Sequence, residues 1–177
     1  TLTQKATSFE FDFGTGPEQI KSGSLPQKAE AFARLENFVQ IFAEDEAVER
    51  IDRVAGQHGI DPIAIVEKLV MDAAELKALS SDPLVHLGAH TMMHVNMRKI
   101  DAARLAYEIE ESTRRVETYV GRRPRSFSYP YGWIKAVGER EAKAVFDAGF
   151  PVAVTTQAGI LGADSLEKPM LLPRVSL

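Results

Sequence analysis

The sequence predicts an α/β fold in which a mostly helical segment, residues 1–80, precedes a region of alternating strands and helices, residues 81–177. Two observations predict this class. In the first region, apolar residues recur at helical spacing between capping and helix-breaking residues. In the second region, short apolar runs alternate with helical patterns, which is typical of parallel βα units. A chain of 177 residues is also long enough to bury a sizeable core.

The composition of the chain bears on its partners, on its possible metal ligands and on whether it spans a membrane. The net charge of −4, with both signs interspersed, gives no reason to expect nucleic acid or anionic lipid as a partner. The chain has no cysteine, which excludes disulfides and thiolate metal sites, so a metal ion would need histidine, aspartate or glutamate ligands. There is no apolar run of about 18 residues, and we therefore expect no membrane-spanning segment.

The first region opens with a strand and continues with helices. Residues 8–13 alternate, with the phenylalanines on one face, and a glycine-rich turn follows at residues 14–17. Three later helix starts are marked by capping residues: Ser24 with Pro26 and Gln27, Asp61 with Pro62, and Asp72 with Glu75. Another helix is expected around residues 47–55, ending at Gly56. In the helix after Asp61 we expect the apolar residues to face inward: Ile63, Val66, Leu69 and Val70.

The second region alternates between the two element types. The predicted strands are residues 84–89, 125–129, 152–156 and 171–177. The predicted helices are residues 100–121, closed by Gly121, and residues 139–148, followed by Gly149. Ligands of parallel sheets gather at the carboxyl ends of the strands. Residues 90–94 and 130–132 each follow such an end, so we expect them at the same rim.

A pair of histidines lies at the first of these strand ends. His90 and His94 follow the predicted strand 84–89 at a spacing of four residues. In a helical turn, side chains at this spacing lie about 5–6 Å apart, which is close enough to share one ion. Imidazole suits zinc, with Zn–N distances of about 2.0–2.1 Å. The alternative interpretation is a chance cluster of histidines on a loop.

Two motifs together carry a resemblance to a known family. His90-Thr91-Met92-Met93-His94 resembles the His-Ser/Thr-x-x-His metal motif of the polysaccharide deacetylases. Phe127-Ser128-Tyr129-Pro130-Tyr131-Gly132 is similar to the next motif of that family, usually written Arg-x-Pro-Tyr/Phe. The resemblance extends over roughly residues 71–177 and includes Leu172-Pro173-Arg174 as a closing strand.

The resemblance implies an incomplete or distorted (β/α) barrel that removes acetyl groups from N-acetylhexosamine residues. It implies a divalent metal, commonly zinc, held by an Asp-His-His triad, with His90 and His94 as the two histidine ligands. The backbone N–H of Tyr131 would donate to the tetrahedral oxyanion. Tyr129 and Pro130 take the substrate-binding positions, with Pro130 fixing the loop. Packing at the rim is the alternative for both tyrosines, and a turn cap or a bond to a ligand's carbonyl is expected of Thr91.

The chain also departs from the family pattern. The family's opening Thr-Phe-Asp-Asp-Gly motif supplies the catalytic base and the third ligand, and only residues 10–14 come near it, with Phe13 at the ligand position. Ser128 replaces the motif arginine, and Arg174 is the candidate substitute. The family's later Leu-x-His motif is missing because no histidine follows His94.

Truncation explains these departures consistently. We expect the paired aspartates upstream of Thr1, and residues 1–80 as a helical insertion within the barrel. The chain alone would then be the inactive C-terminal piece of a metal-dependent amidohydrolase. A non-catalytic barrel remnant that binds saccharide or a partner chain is the second hypothesis. A third possibility is a homo-oligomer in which two chains exchange elements to cover the open barrel edge.

Overall fold

The computed structural model describes residues 2–175 and divides into two compact units, Thr1–Val70 and Met71–Leu177. Thr1, Ser176 and Leu177 lie outside the described residues, and the last two positions of the predicted strand 171–177 are among them. The mixed α/β class is confirmed. No helix in the described part of the chain combines the length and apolarity needed to cross a membrane.

The first unit joins a hairpin to helices. Its elements are α1 (Leu2–Lys5), β1 (Ser8–Asp12), β2 (Pro17–Lys21), α2 (Leu25–Ile41), α3 (Glu44–Gln57) and α4 (Pro62–Leu69). β1 and β2 pair antiparallel. The predicted strand is confirmed, with Phe9 and Phe11 buried and Phe13 half-buried against the same core. β2 was not expected, because Ile20 is its one buried side chain and no apolar alternation is visible in the sequence.

The predicted helix starts are confirmed at the level of hydrogen bonds. The Ser24 hydroxyl accepts from the N–H of Gln27, whose side chain accepts from the backbone of Ser24 in return. Asp61 accepts from the N–H of Ile63 at the start of α4. Each cap satisfies backbone donors that the first helical turn leaves without a partner.

The orientation predicted for α4 is wrong. Its apolar residues are largely exposed rather than buried: Ile63 65%, Val66 51%, Leu69 74% and Val70 60%. The residue of α4 that packs against the core is Ile65, which was not among the residues expected to face inward. α4 is apolar on more than one face, so its pattern alone does not show which face meets the core.

The second unit is built around a parallel sheet. Its elements are α5 (Ala73–Leu79), a 3-10 helix (Met97–Lys99), α6 (Ala102–Val120), β3 (Ser126–Ser128), α7 (Glu139–Asp147), β4 (Val152–Ala158), a second 3-10 helix (Ala163–Glu167) and β5 (Leu172–Arg174). The strands pair in parallel in the order β3-β4-β5. Helix α6 is capped by Asp101 and closed by Gly121 in the left-handed conformation, as predicted. Three strands within residues 2–175 form a section of open sheet, and the barrel stays a prediction.

The strand predicted at residues 84–89 is reduced to one residue. Ala89 alone pairs, in parallel with Phe127, and Leu84 is 90% exposed. An Asp82 carboxylate oxygen accepts the N–H of Leu84 and sets a turn there instead. Gly88 lies so close to β3 that a Cβ atom on it would stand 2.7 Å from the Ser126 hydroxyl oxygen. The chain therefore still places residue 90 at the end of β3.

Candidate metal centre

The structure brings the two histidines of the sequence motif together. The ring centroids of His90 and His94 are 4.9 Å apart, and the rings meet edge to face at 73°. His90 directly follows the paired residue Ala89, which fixes the start of the loop against β3. The spacing matches the i, i+4 expectation, although residues 90–94 form a loop rather than a helix.

One hydrogen bond determines which nitrogen of His90 is available. Its Nδ1 lies 2.7 Å from the carbonyl oxygen of Ser128 at the end of β3. A carbonyl oxygen only accepts, so Nδ1 carries the proton and donates. The lone pair then lies on Nε2, the arrangement that metal-binding histidines adopt when a backbone carbonyl orients the ring.

The surroundings of His90 favour its neutral form. His90 keeps much of its surface in solvent, but partial burial of its ring lowers the pKa of the imidazole below its ordinary value; the nearby His94 and Arg174 lower it further, while the bond to Ser128 acts in the opposite direction. Neutral imidazole is the form that binds a metal ion.

The loop between the ligands carries backbone strain. Thr91 has φ of 58° and His94 has φ of 56°, both in the left-handed region, which a β-branched residue such as Thr91 rarely adopts and which histidine adopts more readily. The Thr91 hydroxyl is buried, and within residues 2–175 it has no hydrogen-bond partner. Neither role predicted for Thr91, a turn cap or a bond to a ligand's carbonyl, is therefore seen. Strain of this kind costs about 1–3 kcal/mol per residue and clusters at functional sites.

A buried carboxylate that the sequence analysis missed holds this loop. Glu108 of α6 is fully buried, and its Oε2 accepts the N–H groups of Met92 at 2.8 Å and Met93 at 2.9 Å. The signal available in the sequence was a glutamate on the buried face of α6, one residue before the core residue Ile109.

The loop at residues 130–132, which follows the second predicted strand, also lies beside the histidines. The ring of Tyr131 meets that of His94 at a centroid distance of 5.0 Å. Tyr131 has φ of 60°, and its carbonyl oxygen accepts the Thr156 hydroxyl proton at 2.6 Å. Gly132 has φ of 61°, and a Cβ atom there would stand 2.5 Å from the Thr156 nitrogen. The loop is thus pressed against β4 with its Tyr131 segment beside the histidines.

The side chains of Tyr129 and Pro130 are buried. Both are among the fully buried side chains, and the Tyr129 hydroxyl donates to the carbonyl oxygen of Met170 at 2.9 Å. Burial raises the pKa of the Tyr129 hydroxyl, and the charge of Glu141 raises it further. This burial agrees with packing, the alternative expected for Tyr129, which belongs to the core; a contact of Tyr129 or Pro130 with the substrate stays a prediction.

Two further predicted residues have clear positions. Arg174 ends β5, is exposed, and lies near enough to His90 for its charge to act on that ring. Asp12, in the segment nearest to an Asp-Asp motif, accepts the N–H groups of Gly14 and Gly16 at 2.7 and 3.0 Å. Those bonds hold the β1–β2 turn and lower the pKa of Asp12. Among residues 2–175 no group of three or more acidic or histidine side chains is arranged to hold a metal ion.

The geometry on its own gives two imidazoles, one of them oriented, beside an aromatic loop. The His90–His94 pair would supply two imidazole ligands to a metal ion, and imidazole is a donor that suits zinc. A family model for polysaccharide deacetylases matches residues 42–152 of the chain. The chain belongs to the polysaccharide deacetylase family. The matched range contains both histidines and Tyr131 and ends before Arg174.

Solved structures share the fold. A polysaccharide deacetylase from Bacillus cereus is 19% identical, with a TM-score of 0.52 over 59% of this chain and 32% of its own. A putative polysaccharide deacetylase from Bacillus anthracis gives the same values. The Streptococcus pyogenes deacetylase PplD, solved in complex with acetate, is 13% identical, with a TM-score of 0.54 over 72% of this chain and 57% of its own. No curated protein matches. The chain spans about a third of the length of the Bacillus deacetylases.

Proposed function

We propose that this chain contributes the histidine half of the active site of a metal-dependent hydrolase that removes N-acetyl groups from a polysaccharide or oligosaccharide. Its His90 and His94 would bind one divalent ion, with zinc favoured. The observation that carries the proposal is the approach of the two rings to a centroid distance of 4.9 Å, with the ring of His90 oriented by its bond to Ser128 so that the Nε2 lone pair is left available. When bound, such an ion polarises a carbonyl and lowers the pKa of water.

The chain's other residues have supporting roles in this proposal. The Tyr131 segment lies against the His94 ring, so its backbone N–H is the candidate donor to the oxyanion that forms when the amide carbonyl is attacked. The exposed guanidinium of Arg174 adds positive charge beside His90, in the role that the family gives to an arginine at the position of Ser128. Ser128 instead uses its backbone carbonyl to orient His90.

A third ligand is needed to complete the site. Two imidazoles without a carboxylate bind zinc weakly, and no third group is arranged for it among residues 2–175. The proposal therefore includes a carboxylate ligand, and the catalytic base, from protein outside the described residues. The coverage of only 32% of the Bacillus deacetylase supports this part of it.

The direct test is acetate release from N-acetylglucosamine oligomers by the complete product of the gene that encodes this chain, with zinc present. We expect acetate from that product, its loss in His90→Ala, and none from residues 1–177 alone. Tyr107→Phe, an exposed change, is the control. A complete product that binds zinc but releases no acetate from any acetylated glycan would show that the substrate class is wrong.

A non-catalytic saccharide-binding or partner-binding role is the second candidate, and the missing third ligand within residues 2–175 favours it. Saccharide binding without hydrolysis by the complete gene product would select this role. Self-association also belongs to the proposal, because β5 pairs only with β4 in the described part of the sheet and leaves an edge. Size-exclusion chromatography that returns a clean monomer would count against self-association.

A further inference from the structure

Glu108 is a buried charged residue that the proposed chemistry does not use. It lies in the middle of α6 and is 0% exposed. A glutamate is almost never fully buried unless it is paired, because burial removes it from water. Its neighbours on the helix, Leu105 and Ile109, belong to the core of the second unit. The position of Glu108 therefore needs an explanation in terms of what it binds.

Both oxygens of Glu108 have partners. Oε2 accepts the backbone N–H groups of Met92 and Met93, at 2.8 and 2.9 Å. Oε1 accepts from Nε of Arg104, one turn earlier on α6, at 2.7 Å. Two successive N–H groups that converge on one oxygen form a concave anion-binding arrangement, which is filled here by a side chain of the same chain.

The two N–H groups belong to the residues that separate the histidines. His90 precedes Met92 by two positions and His94 follows Met93, with left-handed residues at Thr91 and His94. A loop with positive φ at non-glycine residues keeps that conformation only when contacts with the surrounding structure hold it. The bond of His90 to Ser128 fixes one end of the loop, and Glu108 fixes its middle.

We propose that Glu108 is the positioning residue of the histidine loop: its carboxylate holds residues 92 and 93 so that His90 and His94 converge on one ion. The part concerning the ion rests on the proposed function, whereas the part concerning the loop does not. Outer groups that orient metal ligands affect metal affinity by about 10–100-fold when they are removed.

The test uses variants at Glu108 and one control on the same helix. Glu108→Leu removes both acceptor oxygens and leaves a side chain of similar volume in the apolar core. Glu108→Gln keeps the shape and one acceptor oxygen but loses the charge, which weakens the hydrogen bonds. Glu111→Ala removes the ion pairs with Arg114 and Arg115 and is the control, because both partners lie on α6 and not on the histidine loop.

Two readouts are measured on the whole chain. Amide hydrogen exchange at Met92 and Met93, without metal, reports the loop. The absorption of bound Co²⁺ reports affinity. We expect exchange at both amides to quicken, and Co²⁺ affinity to fall about 10–100-fold in Glu108→Leu. Glu108→Gln should be intermediate and Glu111→Ala unchanged. If Glu108→Leu fails to fold, the glutamine variant carries the test.

Each of the other possible outcomes contradicts one part of the proposal about Glu108. Unchanged exchange and affinity in both Glu108 variants overturn the positioning role, and so does an equal loss in Glu111→Ala. Faster exchange with unchanged affinity overturns the link from loop to ion. A wild-type chain that binds no Co²⁺ contradicts the proposed function, and the exchange rates then still decide whether Glu108 holds the loop.

Discussion

His90 and Tyr129 show how far single residues can be read from sequence. The spacing of the histidines predicted that their rings meet, and they do. The protonation of His90 was not predictable, because its partner is a backbone carbonyl 38 residues further along the chain. The same limit applies to Tyr129, whose hydroxyl bonds to Met170 across 41 residues. Local sequence identifies the residue type, and tertiary contacts decide what it does.

The core role of Tyr129 predicts the effect of Tyr129→Phe. The substitution removes the hydrogen bond to the Met170 carbonyl and leaves that acceptor buried. We expect the free energy of unfolding to fall by about 1–3 kcal/mol. Urea unfolding measures this change, with Tyr107→Phe at a half-exposed position as the control. An unchanged stability together with weaker saccharide binding would return Tyr129 to the substrate site.

At the scale of elements, capping and periodicity predicted well where they report local chemistry. The capped starts of α2, α4, α5 and α6 are all present. Two element predictions were wrong. Residues 84–88 do not pair, and α4 turns its expected inner face outward. The turn at Asp82 is local, because its carboxylate accepts the N–H of Leu84 two residues on, and an Asp-Pro pair is a turn signal that the sequence did offer. The face that α4 buries depends on neighbouring elements and could not be seen in the sequence.

The loop that carries Tyr131 depends on a glycine. Gly132 combines a positive φ with a Cβ position 2.5 Å from the backbone of Thr156. We expect Gly132→Ala to lower the free energy of unfolding by more than about 1 kcal/mol, because both the backbone and the close contact must shift. Gly162→Ala, with no atom within 4 Å of its Cβ position, is the control. Thermal unfolding measures both, and equal stabilities would show that the loop is not pressed against β4.

At the scale of the whole molecule, each unit has a core of its own. The buried cluster of Thr1–Val70 centres on Phe11 and Phe38, and that of Met71–Leu177 on Phe127 and Ile109. The compact units divide at residue 70, and α5 packs against α6 within the second unit. The domain boundary at residue 80 stays a prediction. That residues 1–80 are an insertion within a barrel stays a prediction.

The separate cores predict that residues 71–177 fold without the first unit. These residues contain the sheet, α6 and every residue proposed for the metal site. We expect cooperative urea unfolding of this shorter chain and metal binding equal to that of the whole chain. An unfolded chain by circular dichroism would contradict the independence of the second core.

The central claim is that His90 and His94 bind one ion together, and a metal titration tests it most directly. Isothermal titration with zinc should give weak binding of about one ion per chain, lost in both His90→Ala and His94→Ala, because each variant removes one of the two imidazoles. His86→Ala, at an exposed position nearby, should bind as the wild type does. Undiminished zinc binding in His90→Ala would contradict the account.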